Sequence, residues 1–297
     1  MYNTIDVKNR RLTMDNINIS SDMPIGMFDS GVGGLSVAKE IMRQLPNEKI
    51  VYFGDTARVP YGGKSKDTIL RYSRQIIRFL QTKNVKAIVI ACNTASAFAL
   101  EEIKAEIDIP IIGVVKPGAK TAVETTKNNK IGVIGTEGTI NSAIYEEFIH
   151  KLKSDIKVYG KACPLFVPLV EEGWLDDDVT KEVVKRYLTE LMDKDIDTLI
   201  MGCTHYPMLK DVIGEVMGEG VKLVNPAYET AVGLAELLKK KNILADANNM
   251  TNEEKYDFYV SDAPDKFKKF ADSILSLNVK GAEKIDIEDY YERFWTE

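Results

Sequence analysis

Cysteine is scarce in this chain: three residues, Cys92, Cys163 and Cys203, among 297. An odd and sparse set builds no disulfide framework and suits a reducing compartment, where thiols are free for other work. An excess of positive charge is also missing. Lys and Arg number 39 against 45 Asp and Glu, a formal net charge of −6. With no Lys/Arg block, nucleic acid and anionic membrane are excluded as main partners. Long apolar runs are absent too. Ala87 to Ala91 and Ile109 to Val115 fall far short of the roughly 18–20 residues that span a bilayer. Residues 1–23 lack the apolar core of a secretory signal, so a cytoplasmic enzyme is expected, with residues 1–23 as an extension. No GxxxxGK[ST] or GxGxxG phosphate loop occurs, since DSGVGG fits neither pattern.

What is present is an alternation of short β-branched runs with longer amphipathic stretches, the pattern of βαβ units on a mostly parallel sheet. The strand candidates are Ile25 to Phe28, Ile50 to Phe53, Ala87 to Ala91, Ile111 to Val115, Ile131 to Ile134, Ile156 to Tyr159, Thr198 to Met201 and Val221 to Val224. Helices are predicted over Ser65 to Lys83, Asp178 to Lys194, Thr230 to Lys240 and Phe267 to Leu275.

An internal repeat organises these elements. KNVKAIVIACNT (Lys83 to Thr94) aligns without a gap on KDIDTLIMGCTH (Lys194 to His205), shifted by 111, with Cys92 on Cys203. IGMFDSGVGG aligns on IGVIGTEGTI at 106, Val51-Tyr52 on Val158-Tyr159 at 107, and Val115-Lys116-Pro117 on Val224-Asn225-Pro226 at 109. The fold class expected is α/β: two similar doubly wound domains related by pseudo-two-fold symmetry, with the active site in the cleft between them. The break is placed near Lys116 to Gly118, where a strand is expected to end in a Pro-Gly turn. Residues 24–116 with 226–297 then form the first domain, and 117–225 the second.

In parallel α/β sheets, ligands bind beyond the carboxyl ends of the strands. Cys92 and Cys203 both stand there, each after an apolar strand and before a helical segment. A helix N-terminus would lower a thiol from its usual value of about 8.5. Asn93 and Thr94 follow one thiol, and Thr204 and His205 the other, all able to hydrogen-bond a carboxylate or thiolate. Two equivalent thiols on facing domains suit racemisation beside a carboxylate, where one group removes a proton from one face and its counterpart returns one to the other. A lone cysteine at a strand end is more often packing, which is the reading kept for Cys163. A metal site at Cys203-x-His205 lacks a second ligand pair, there is no C-x-x-C, and no lysine follows a pyridoxal phosphate pattern. No cofactor and no metal are expected.

IGMFDSGVGGLSV, GDTARVPYG, ACNTAS, VPLVEEG and GCTHYP, in that order over roughly Ile25 to Tyr228, resemble the glutamate racemases, cofactor-independent enzymes that make D-glutamate for peptidoglycan. The resemblance implies that Cys92 acts on D-glutamate and Cys203 on L-glutamate, with Asp29 assisting Cys92, and Glu171 and His205 assisting Cys203. It implies that Asp29, Ser30, Pro60, Tyr61, Gly62, Cys92, Asn93, Thr94, Thr204 and His205 hold the amino acid. Thr136 or Thr139 adds a contact, the choice between them open. The partner is then a small molecule, L- or D-glutamate, and a homodimer stays open. Two alternatives remain: a racemase for aspartate or another amino acid, and a two-domain sensor that binds an amino acid without turning it over.

Overall fold

The computed structural model describes residues 19–277 and 279–290, so the expected extension falls largely on residues 1–18, outside the described residues. Among the described residues ten strands are formed: β1 (Ile25–Asp29), β2 (Ile50–Gly54), β3 (Ala87–Ile90), β4 (Ile111–Gly113), β5 (Lys130–Gly135), β6 (Lys157–Ala162), β7 (Thr198–Gly202), β8 (Lys222–Val224), β9 (Tyr256–Val260) and β10 (Glu283–Lys284). All eight expected strands are among them. They build two parallel sheets, in the orders β10-β9-β2-β1-β3-β4 and β6-β5-β7-β8. The order β2-β1-β3-β4 recurs as β6-β5-β7-β8, so the repeat in the sequence is a repeat of topology.

Each sheet is covered on both faces, which is why its central strands are apolar throughout rather than alternating. In β1, Met27 turns to the layer holding Leu35, Ile41 and Leu234, while Phe28 turns to the one holding Ile76, Phe79 and Ile103. The second sheet is clad in the same way, by Val184 and Leu188 on one face and Ala119, Tyr145 and Ile149 on the other. In both sheets the chain reverses direction of travel between the first and third strands of the unit. The crevice for a ligand therefore opens at the carboxyl ends of β1 and β3, and of β5 and β7.

The expected strand Ile111 to Val115 and its Pro-Gly turn need correction. β4 ends at Gly113, and the helix Val115–Thr125 begins at once, with Pro117 and Gly118 in its first turn. A proline is tolerated there because the first N–H groups of a helix have no intrahelical acceptor. Gly118 has a packing reason: a Cβ on it would lie 3.0 Å from Cγ of Pro226, the first residue of the helix Pro226–Lys240. The domains are thus linked by two abutting helices. Both β4 and the helix after it recur at a shift of 111, the shift of Cys92 to Cys203, and not at 109. The two prolines, which have different places in their helices, suggested the wrong register.

At the opposite end of the first sheet, before β2 and β3, Lys86 and Glu48 form a fully buried ion pair at 2.5 Å. Lys86 also donates to the carbonyl of Ser21 at 2.6 Å, and Glu48 accepts from the N–H of Ala245 at 2.8 Å. This pair pins two distant chain segments under the sheet.

Candidate active site

Asp29 is the last residue of β1, wholly buried. Its Oδ2 accepts from the N–H of Gly31 at 3.2 Å and of Gly34 at 3.0 Å, an Asx-type turn that shapes the loop. Its Oδ1 is buried and meets no donor among the described residues. Gly34 must lack a side chain, since a Cβ would stand 2.5 Å from Cβ of Asp29. Burial raises the Asp29 carboxyl above the usual range, against the pull of His205 and of the loop N–H groups.

Cys92 caps the helix Asn93–Glu106. Its sulfur accepts from the N–H of Ala95 at 3.5 Å and its thiol donates to Oγ of Ser30 at 3.7 Å. The expectation of a lowered thiol fails here. Burial, followed by the nearby Asp29 carboxylate, pushes Cys92 up to about 12, outweighing the helix terminus. In the free protein this sulfur is a thiol.

Cys203 follows β7, and what comes next is a 3-10 turn, Tyr206–Leu209, rather than a regular helix. Its environment is set instead by side chains. Nδ1 of His205 lies 3.9 Å from the sulfur, and Nε2 lies 3.2 Å from Oε1 of Glu171, the last residue of the helix Phe166–Glu171. Burial would push His205 down, but its bonds to Cys203 and Glu171, with Asp29 beyond, reverse this and lift it to about 10. The His205 bond in turn holds Glu171 below its usual value in spite of partial burial. His205 is thus held above the usual imidazole range, 3.9 Å from the Cys203 sulfur.

Of the remaining expected residues, Ser30, Asn93, Thr94, Thr139 and Thr204 are all buried around the two thiols. The hydroxyls of Thr94, Thr136 and Thr139 form a triangle with edges of 2.8, 3.2 and 3.1 Å, joining the loop after β3 to the loop after β5. Both threonines left open by the sequence are present in it. Gly62 presses on Thr136, where a Cβ would lie 2.6 Å from its Cβ. Tyr61 is placed differently from a ligand side chain: its hydroxyl donates to Asp55 and its ring packs on Tyr72 in the core, so only its backbone is left to the cleft. Pro60 is exposed at the start of the same loop. Cys163 lies in the core of the second domain, its thiol donating to the carbonyl of Lys161 at 3.6 Å and raised to about 12 by burial.

Two residues not singled out in the sequence hold the loops across the domain boundary. Oγ of Ser36 donates to the carbonyl of Thr204 at 3.0 Å, and the hydroxyl of Tyr145 donates to Oδ1 of Asn93 at 2.7 Å. Tyr145 lies in no motif, and Ser36, though within the IGMFDSGVGGLSV segment, sits on an amphipathic helix and reads as an ordinary polar position.

This geometry and fold match a known group. A family model described as Asp/Glu/Hydantoin racemase matches residues 25–233, which defines the class as isomerases that invert a chiral centre. The chain is 47% identical over 264 residues to a glutamate racemase of Geobacter metallireducens, covering 89% of this chain and 97% of that one. It superposes on the crystal structure of a glutamate racemase isoform of Bacillus anthracis with a TM-score of 0.86 at 42% identity, covering 90% and 98%. The glutamate racemase of Francisella tularensis, solved in complex with D-glutamate, gives 0.83 at 41% identity, covering 91% and 100%. The chain belongs to the glutamate racemases within the Asp/Glu/Hydantoin racemase family and is an isomerase. Among the described residues no helix is long and apolar enough to cross a membrane.

Proposed function

We propose that this chain interconverts L- and D-glutamate in the cleft between its domains, by a two-base reaction of Cys92 and Cys203 that uses no cofactor, and so supplies D-glutamate for peptidoglycan in the cytoplasm. The observation that carries this reading is the placing of two thiols on equivalent loops, each with its own ionisable helper: Asp29 near Cys92, and the Glu171–His205 pair beside Cys203. Cys92, raised to about 12, is a ready acid. Nδ1 of His205, an imidazole lifted to about 10, lies 3.9 Å from the Cys203 sulfur, within reach to exchange a proton with it.

With L-glutamate the base is Cys203 and the acid Cys92. The Cys203 thiolate takes the α-proton, the C–H electron pair passes into the carboxylate, and the Cys92 thiol returns a proton to the opposite face. The sulfurs then hold exchanged protonation states, which is the state required by D-glutamate. Asp29 offers its unpartnered Oδ1 to the substrate ammonium, whose charge also eases ionisation of Cys92. Asn93, Thr94, Thr204 and the Ser30 loop hold the carboxylates through neutral donors. Contact between the domains keeps water from the carbanion-like transition state.

The test is α-hydrogen exchange in deuterated water with purified protein and nothing added. Deuterium should enter the product enantiomer, and no incorporation from either enantiomer would sink the proposal. Cys92→Ser and Cys203→Ser should each lower racemisation by about 10²–10⁴-fold, and full activity in either rejects the two-base assignment. Aspartate in the same assay decides the substrate.

A further inference from the structure

The geometry points to Tyr145 as the positioning residue that sets the Cys92 loop against the Cys203 loop, holding Asn93 with its hydroxyl and backing Gly202 with its ring. This rests on the racemase reading above and adds to it a residue outside the substrate's reach.

Tyr145 belongs to the helix Ile144–Leu152 of the second domain and is 3% exposed. Its hydroxyl crosses the boundary to Oδ1 of Asn93, the residue after Cys92. A Cβ placed on Gly202, the residue before Cys203, would lie 3.1 Å from Cε2 of the same ring. One side chain thus touches the immediate neighbour of each thiol. The chain bends into place just ahead of it: Ala143 is held left-handed at φ 54°, a conformation a side chain resists, between the end of one helix and the start of the next.

The consequence for Asn93 is orientation. With Oδ1 taken by the phenol, its Nδ2 has no protein partner among the described residues and leaves two N–H donors for a substrate carboxylate. Burial holds the phenol far above its ordinary value, so it stays a donor at every working pH. The facing loop has a counterpart. Thr204 stands at the repeat position of Asn93, and Ser36 from the first domain donates to its carbonyl. Each domain lends one hydroxyl to the residue that follows the other domain's cysteine.

The experiment is a double-mutant cycle. Y145F keeps the ring and removes the hydroxyl, and kcat/KM should fall about tenfold, the worth of a buried hydrogen bond, with Tm little changed. N93A should fall further, and Y145F/N93A should be no worse than N93A, since the phenol acts through the amide. Losses that multiply, or a Y145F enzyme within twofold of wild type, overturn the assignment. N93D keeps the acceptor for Tyr145 and loses both donors. It should fall as far as N93A, and a fully active N93D overturns the orientation even where Y145F does not fold. Glutamate affinity by calorimetry, run on the same proteins, should follow the same cycle. A wild type that binds glutamate without turning it over would strike the racemase reading alone.

Discussion

Removing the charge of Glu171 tests the electrostatics of the Cys203 side most directly. Glu171 is bonded to His205 at 3.2 Å, and the imidazole is lifted to about 10 in a buried site. An opposite charge within 4–6 Å shifts a pKa by about 1–3 units, so Glu171→Gln should bring His205 down to roughly 7–9. The chain has only two histidines, so proton NMR gives two imidazole titrations, and the variant H150Q assigns them. For stability the sign follows from a folded pKa above the unfolded value of 6.5. The contribution is full below about pH 6.5 and is lost as pH climbs through about 10. Urea midpoints of the wild type should therefore decline between pH 7 and 10, and E171Q should reach its plateau at lower pH. Racemisation starting from L-glutamate should lose its alkaline limb in the same interval. A wild-type His205 that titrates near 6.5, or a titration that E171Q leaves in place, would refute the coupling of Glu171 to His205 on the Cys203 side.

Other outcomes follow from the same packing. Lys86→Met leaves Glu48 buried without its counter-charge and should cost about 3–5 kcal/mol in urea unfolding, part of which Glu48→Leu should restore. Gly33→Ala places a Cβ 2.4 Å from Oγ1 of Thr204 and 2.5 Å from Nδ1 of His205, and should cut kcat/KM more than tenfold while each domain keeps its far-UV signature, as measured by kinetics with circular dichroism. Cys163→Ala should leave racemisation within twofold of wild type and lower the thiol count in urea from three to two, because that sulfur belongs to a core and not to the cleft.

The repeat was the most legible feature of the sequence, because buried parallel strands are apolar without interruption and a shift of 111 brings Ala87-Ile88-Val89-Ile90 onto Thr198-Leu199-Ile200-Met201 with no gap. Cys92 and Cys203 were legible for the same reason, standing at the ends of those strands, whereas the roles expected of Asp29 and His205 came from the resemblance to the glutamate racemases. Less legible were features decided by three-dimensional surroundings. The short helix start at Val115 was hidden because proline and glycine signal a turn locally, although the first turn of a helix accepts both. The direction of the Cys92 shift could not be read either, since a helix terminus is visible in sequence and the desolvation that outweighs it is not. Tyr145 lies in no motif and Ser36 is not marked within its own, because their roles lie in partners 52 and 168 residues away.

The two halves of the site are alike in topology and unlike in charge. The repeat aligns Asp29 with Gly135 and Thr94 with His205, so each domain contributes one ionisable helper, at a different place in its loops. This asymmetry is compatible with a reaction that has no preferred hand. L- and D-glutamate have equal free energy in water, so the equilibrium constant is one, and kcat/KM must be identical in the two directions for any catalyst of this interconversion. Only kcat and KM taken singly can differ, by the same factor. E171Q, acting on the Cys203 side, should therefore change the two kcat values unequally and the two KM values by the compensating ratio, leaving the kcat/KM values equal to each other though both reduced. Initial rates from each pure enantiomer, followed by circular dichroism, give all four constants. Equal kcat changes in both directions would mean that Glu171 acts on both thiols alike, and the division of the cleft into a Cys92 side and a Cys203 side would have to be abandoned.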